Sequence, residues 1–144
     1  MARNIAHVHT DFTRRLIQWA RIRDALEGQD EIKNSGENYL KRPDGMGASA
    51  YDAYKERAQF YPVAERTLRG MSGMVFRKPL RVELPKRLEP LIEAATTDGH
   101  SLRVMAENVI NEVLSVGRHG ILVDYPVGNN TSVSIPYLAT YSAE

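Results

Sequence analysis

Tyr51 to Pro79 reads YDAYKERAQFYPVAERTLRGMSGMVFRKP. Two helical stripes meet in it at a proline. Tyr51, Tyr54, Ala58 and Tyr61 recur at three- and four-residue intervals, which places them on one helix face. Ser49, with Asp52 three residues on, has the form of a capping box with the acid shortened, so a helix is expected to open there. Pro62 breaks or kinks the run, or begins a new helix at its first position. Ala64, Thr67, Leu68, Met71 and Val75 continue as a second stripe. Gly70 and Gly73 weaken that helix, and a close helix crossing is one reason to tolerate them.

Toward the N-terminus, residues 1–10 read as a flexible terminus, with Thr10 or Asp11 capping a helix. Phe12, Leu16, Trp19, Ala20 and Leu26 then fall near helical spacing, with Ile22 fitting loosely, and Gly28 stops the helix. Residues 29–48 are polar and rich in Gly and Asn, with Pro43 followed by Asp44-Gly45. They read as a long loop that touches down at Tyr39-Leu40 and orders against a neighbouring subunit.

Toward the C-terminus, Val75 to Leu84 reads as extended and ends at Pro85. A helix carrying Leu88, Leu91, Ile92 and Ala95 follows, kinked or delayed by Pro90. Asp98-Gly99 makes a turn. Ser101 caps a helix through Leu102, Met105, Ala106, Val109, Ile110, Val113 and Val116, closed by Gly117. Gly120 to Tyr125 has the pattern of a buried strand, Gly128-Asn129-Asn130 of a turn, and Ser132 to Ile135 of the return strand. The fold class is therefore α+β and mainly helical: four to five amphipathic helices plus a short β-hairpin.

The chain has 144 residues, 42% hydrophobic and 26% charged, which suits one folded domain and argues against wholesale disorder. It has no cysteine, so disulfides and thiolate metal sites are excluded. No apolar run reaches membrane-spanning length, and MARNIAHVHTDFTRR lacks the apolar core of a signal peptide. The net charge of +1 gives no global drive toward nucleic acid, but charge is unevenly placed. Seven basic residues between Arg66 and Arg87 face Glu83 alone, whereas seven acids between Glu89 and Glu144 face Arg103 and Arg118. Such polarity suits a solvated helix face, a subunit contact or a basic surface near phosphate.

Candidate chemistry is sparse. His7-x-His9 lacks a carboxylate spaced to complete a metal site. His100 and His119 have no nucleophile or acid placed beside them by sequence. Asp124 sits at a strand end, where pairing with an arginine or capping the Pro126 turn is expected. Gly70-Met71-Ser72-Gly73 has the GxxG form of a KH clamp, but that clamp needs a helix on each side, and Val75 to Leu84 reads as extended. Tyr51, Tyr54, Phe60 and Tyr61 beside Lys55 and Arg57 allow base stacking, yet their spacing fits helix packing better. No catalytic, cofactor or metal residue is assigned.

The pattern Y-x-x-Y-K-x-R-A-x-F, then R-T-L-x-G-M-x-G-M-V-F-R-K-P, then a helix feeding G-R-x-G-I-L-V-D-Y-P at Gly117 to Pro126 resembles the start of tailed-bacteriophage portal proteins of the DUF4055 type. The resemblance runs over Phe12 to Glu144. It implies that residues 11–144 are the N-terminal wing-like region of a portal, the head-to-tail connector ring through which genome DNA is packaged and ejected. The implied role is structural rather than enzymatic, without cofactor. The implied partners are further copies in a ring (a dodecamer when full length), capsid or scaffolding protein, and genome DNA bound non-specifically. The terminase motor and tail-completion proteins would engage stem and clip regions absent from these 144 residues, which makes the chain a fragment or a truncated prophage remnant. The implied location is the virion's portal vertex, and the host cytoplasm during assembly, with no membrane. Tyr54, Arg57, Arg66, Arg69 and Arg77 are the residues placed at subunit contacts. Where relatives carry Tyr-Leu-Pro in the loop, this chain has Tyr39-Leu40-Lys41. The alternative is a stand-alone nucleic-acid-binding module using the basic stretch 66–87. A third is a small enzyme or regulatory domain with a site near His119 and Asp124.

Overall fold

Apolar periodicity decides where helices form, and the glycines and prolines decide where they stop. The computed structural model describes residues 8–125 and 135–144. It is mainly helical with one two-stranded antiparallel sheet, the α+β class expected. The chain divides into two compact units, Met1–Thr67 and Leu68–Glu144.

In the first unit, helix α1 spans Thr10–Glu27. Its cap is neither Thr10 nor Asp11 but His9, whose Nδ1 accepts from the Asp11 N–H at 3.1 Å. An imidazole nitrogen lone pair serves an orphan donor as a hydroxyl would. Trp19 is the buried anchor of this helix at 4% exposure, with the Phe12 ring edge-on at 5.8 Å. Gly28, at φ 95°, reverses the chain there and donates to the Asp24 carbonyl.

The stretch 29–48 is not one loop. Helix α2, Gln29–Asn34, starts directly after Gly28, and a 3-10 turn, Gly36–Asn38, follows. Acids Asp30 and Glu31 in the first turn and Lys33 in the last complement the helix dipole, and Ile32 is buried. Nor does the remainder need a neighbour to order it. The Tyr39 hydroxyl donates to Asp24, the Tyr51 hydroxyl donates to the Leu40 carbonyl at 2.6 Å, and Arg42 donates to the Met46 carbonyl. Tyr39-Leu40 is thus the touchdown point that the sequence suggested.

Helix α3 spans Ala48–Arg57 and is entered from Gly47, so the Ser49–Asp52 capping box does not form. Asp52 instead pairs with Lys55 at 3.0 Å. Ala58 is already extended, at ψ 137°, which takes Tyr61 off the stripe and leaves it 66% exposed. Helix α4, Val63–Val75, opens behind Pro62, whose carbonyl accepts from the Arg66 N–H at 3.2 Å. No residue of α4 is buried.

In the second unit, residues 76–85 form no ladder, and the next element is a 3-10 helix, Lys86–Ile92, rather than the α-helix expected. Pro90 inside it supplies no N–H, which disfavours the longer α pattern. Ala95, fully buried, lies beyond it. Gly99 turns the chain at φ 77°, as Asp98-Gly99 suggested. Ser101 caps helix α5, Leu102–Val116, accepting from the Val104 N–H at 3.3 Å, and Gly117 closes it at φ 75°. Met105 and Val116 are its buried contacts.

Strand β1, Gly120–Asp124, pairs antiparallel with β2, Tyr137–Tyr141, from Gly120↔Tyr141 to Asp124↔Tyr137. The return strand therefore falls later than Ser132 to Ile135. Ile135 precedes it unpaired, and residues 132–134, like the turn at 128–130, lie outside the described residues. The pattern of Gly120 to Tyr125 suggested burial, yet Ile121 to Tyr125 are all exposed. β-branched content reports strand propensity, and burial needs a layer on top, which no described residue supplies on β1.

A Cβ added at Gly70 or Gly73 meets no atom within 4 Å, so no close crossing in the described structure explains these glycines. Gly70→Ala and Gly73→Ala should each stabilise the isolated chain by about 0.5–1 kcal/mol in denaturant unfolding. Gly117→Ala, strained at positive φ, should destabilise it by about 1 kcal/mol.

Candidate functional site

Tyr51 organises the part of the first unit from which Tyr54 and Arg57 project. Its ring is buried, its hydroxyl holds Leu40, Lys55 Nζ lies 5.1 Å from the ring centroid and the Arg42 guanidinium 5.9 Å. Tyr54, half-buried, lies with its ring centroid 6.1 Å from that of Tyr51. Cations over an aromatic face are attracted by its quadrupole, so Tyr51 draws Lys55 of α3 and Arg42 of the preceding segment together.

Arg57 ends α3 in solvent and folds back onto the Ala53 carbonyl at 3.1 Å. It borders an open groove of about 650 Å³ between α2 and residues 56–61. The groove is tied across by Lys33 Nζ to the Glu56 carbonyl at 2.8 Å and by the Phe60 N–H to Gln29 Oε1 at 3.3 Å. Arg66 lies 4.9 Å over the Tyr61 ring and donates to its hydroxyl at 2.7 Å. Tyr54, Arg57 and Arg66 therefore belong to the first unit. Arg69, on α4, and Arg77, in the turn after it, belong to the second, and both are exposed.

The second unit holds a small cavity of about 150 Å³ whose lining includes Thr96, Asp98, His100, Asn108 and residues 138–141 of β2. The backbone of His100 is tied down on both sides: its N–H donates to Thr96 Oγ1 at 3.1 Å and its carbonyl accepts from the Ala95 N–H at 2.7 Å. His119 is half-buried, and both ring nitrogens are shielded with no hydrogen-bond partner among the described residues. It has no relay to Asp124. Asp124 does not meet an arginine either: it accepts from the Tyr137 hydroxyl at 3.1 Å and from the Tyr125 N–H at 2.7 Å. His7 lies outside the described residues, and His9 is spent as a cap. Among the described residues no group of three His, Asp or Glu is placed to hold a metal ion, and no helix is long and apolar enough to cross a membrane.

Gly70 to Gly73 lie inside continuous helix α4 rather than in a loop between helices, so the GxxG form does not build a backbone clamp here. Sequence reasoning missed the Tyr39–Asp24 contact as an organising element. Its one signal was an aromatic residue in an otherwise polar run.

The chain matches no protein-family model, and no curated protein matches it.

The hydrogen bond to Asp24 raises the Tyr39 pKa above its usual 10.0, with burial and the Asp24 charge adding in the same direction. A raised folded-state pKa means that the stabilisation is fully present below pH 10 and is lost as pH rises through the folded value. Tyr39→Phe should destabilise by about 0.5–1 kcal/mol at neutral pH. The difference between wild type and Tyr39→Phe in urea unfolding should shrink above pH 10.

Proposed function

We propose that this chain is the N-terminal wing region of a tailed-phage portal protein. It would be a structural part of the connector ring rather than an enzyme, working at the capsid's portal vertex. The supporting observation is where apolar surface is left uncovered. The two stretches that carry the resemblance, 51–79 and 117–126, hold much of the exposed apolar surface among the described residues: Met74 at 71%, Tyr61 at 66% and Val123 at 61%, with Met71, Val75, Ile121 and Leu122 beside them. Exposed apolar surface of this kind suits burial against neighbours in an assembly. Under this reading Tyr54, Arg57, Arg66, Arg69 and Arg77 lie at or near contacts with adjacent copies. Capsid or scaffolding protein and genome DNA are the further partners.

A second reading rests on Arg77, Lys78, Lys86 and Arg87. All four are exposed, and the single acid among them, Glu83, is taken by Arg81 at 2.7 Å. That local excess of positive charge suits phosphate.

Charge reversal at Arg69 and Arg77 in the natural gene product should abolish rings in electron micrographs. Intact rings would sink the contact assignment. Intact-mass measurement on phage particles should find this sequence within a longer, low-copy product. If the 144 residues alone bind duplex DNA with log affinity falling about 0.9 per phosphate contact against log salt, the nucleic-acid module takes precedence.

A further inference from the structure

The free edge of β1 has a self-complementary design. Leu138 donates its N–H to the Ala95 carbonyl at 2.7 Å, and Thr96 forms a parallel bridge with Leu138. The backbone groups of Leu138 therefore point away from β1. In an antiparallel ladder, hydrogen-bonded and non-hydrogen-bonded pairs alternate. The pair Val123↔Leu138 is thus a non-bonded one, as is Ile121↔Thr140 two residues along. The N–H and C=O groups of Ile121 and Val123 face outward, toward an edge that no described residue pairs with. An apolar edge strand with unpaired backbone groups is a template for another strand.

We propose that this edge pairs two copies of the chain, β1 against β1 about a two-fold axis through Ile121. In that register Ile121 faces its own mate, Val123 faces His119 of the partner subunit, and both pairs use the outward backbone groups. Asp124 of each copy then stands opposite Arg118 of the partner subunit in a close, non-bonded pair. Arg118 is exposed and without an ion pair among the described residues. Asp124 keeps unused lone pairs beside its contacts to Tyr137 and Tyr125. Opposite charges facing each other across strands favour this register. Centring the axis on Leu122 would instead put Asp124 opposite Gly120.

This contact is independent of the portal reading. A two-fold contact is isologous and closes at two copies, whereas a ring needs a heterologous one. The pair would therefore form between free chains and compete with any ring contact that uses the same edge.

The absence of cysteine makes single-cysteine variants clean reporters of register. Directly opposed residues in a bonded pair have Cα atoms about 5.5 Å apart, inside disulfide range. Ile121→Cys should oxidise to a covalent dimer at least about tenfold faster than Leu122→Cys or Val123→Cys, whose mates stand about 8 and 14 Å away at a rise of roughly 3.4 Å per residue. Arg118→Asp should weaken the non-covalent dimer in sedimentation velocity, and adding Asp124→Arg should restore it. Covalent dimer from Leu122→Cys in preference to Ile121→Cys would overturn the register. Equal rates at all three positions, or no sedimenting dimer across the concentration range, would overturn the pairing itself.

Discussion

One hydrogen bond, from the Leu138 N–H to the Ala95 carbonyl, sets the limits of the second unit. It commits one edge of β2 to the turn at 95–100 and leaves the other for β1. β1 is then the last strand, with nothing beyond it among the described residues. The interior that this bond organises is small. Ala95, Met105, Val116 and Ala143 are its buried apolar side chains, supplied by a turn, helix α5 and the chain's last described residues. A two-stranded sheet needs packing against a helix or further strands for independent stability. Here the buried contacts favour β2, whose residues 137–139 are half-buried, while β1 stays in solvent.

The first unit is built by the same economy around a different anchor. Tyr51 spends its ring as core and its hydroxyl as a strut. A tyrosine is suited to this because its body is apolar and its tip needs a partner. By holding Leu40 it fixes the segment between α2 and α3, and Tyr39 then reaches Asp24 on α1. Two hydroxyls thus tie a polar connection to two helices, with Trp19 and Ile32 as the other buried apolar groups. This is why a run without apolar periodicity acquires a defined path. Its order comes from a few long-range and local side-chain bonds, Tyr51 to the Leu40 carbonyl, Tyr39 to Asp24 and Arg42 to the Met46 carbonyl, and apolar periodicity carries no trace of those.

Much of the helical scaffold was legible because it rests on local chemistry. Gly28, Ser101 and Gly117 act where the sequence places them, since a positive φ or an N-cap hydroxyl is a property of one or two residues. What local reading could not weigh was competition. Ser49–Asp52 satisfies a capping pattern, but the helix already starts at Ala48, and Asp52 finds Lys55 instead. Tyr61 obeys helical spacing, but the helix ends before it. The strand expected at 120–125 forms over Gly120–Asp124 but is not buried, because β-branched and aromatic content reports strand propensity and not the layer above it. The residues proposed for subunit contacts follow the same rule. The exposure of Arg57, Arg66 and Arg69 agrees with basic side chains on helix surfaces, whereas the stacking of Arg66 on Tyr61 depends on the extended link 58–62 that brings the ring into place.

The uncovered surfaces are not random leftovers of a short chain. α4 has strong helical periodicity in its apolar residues and buries none of them, and β1 is apolar at Ile121, Leu122 and Val123 with an edge that is open among the described residues. A sequence selected only to fold as this chain alone would gain by placing polar residues at Met74, Val123 or Ile121, since isolated surface substitutions cost little. It would gain again by replacing Gly70 and Gly73, where a side chain meets no atom within 4 Å. The chain does neither on the same two stretches that carry the portal-like pattern. Helical glycines without a local reason, beside apolar side chains without a local partner, are what a helix shows when another backbone is to approach it closely. That combination, more than any single residue, is what favours the proposed role in an assembly.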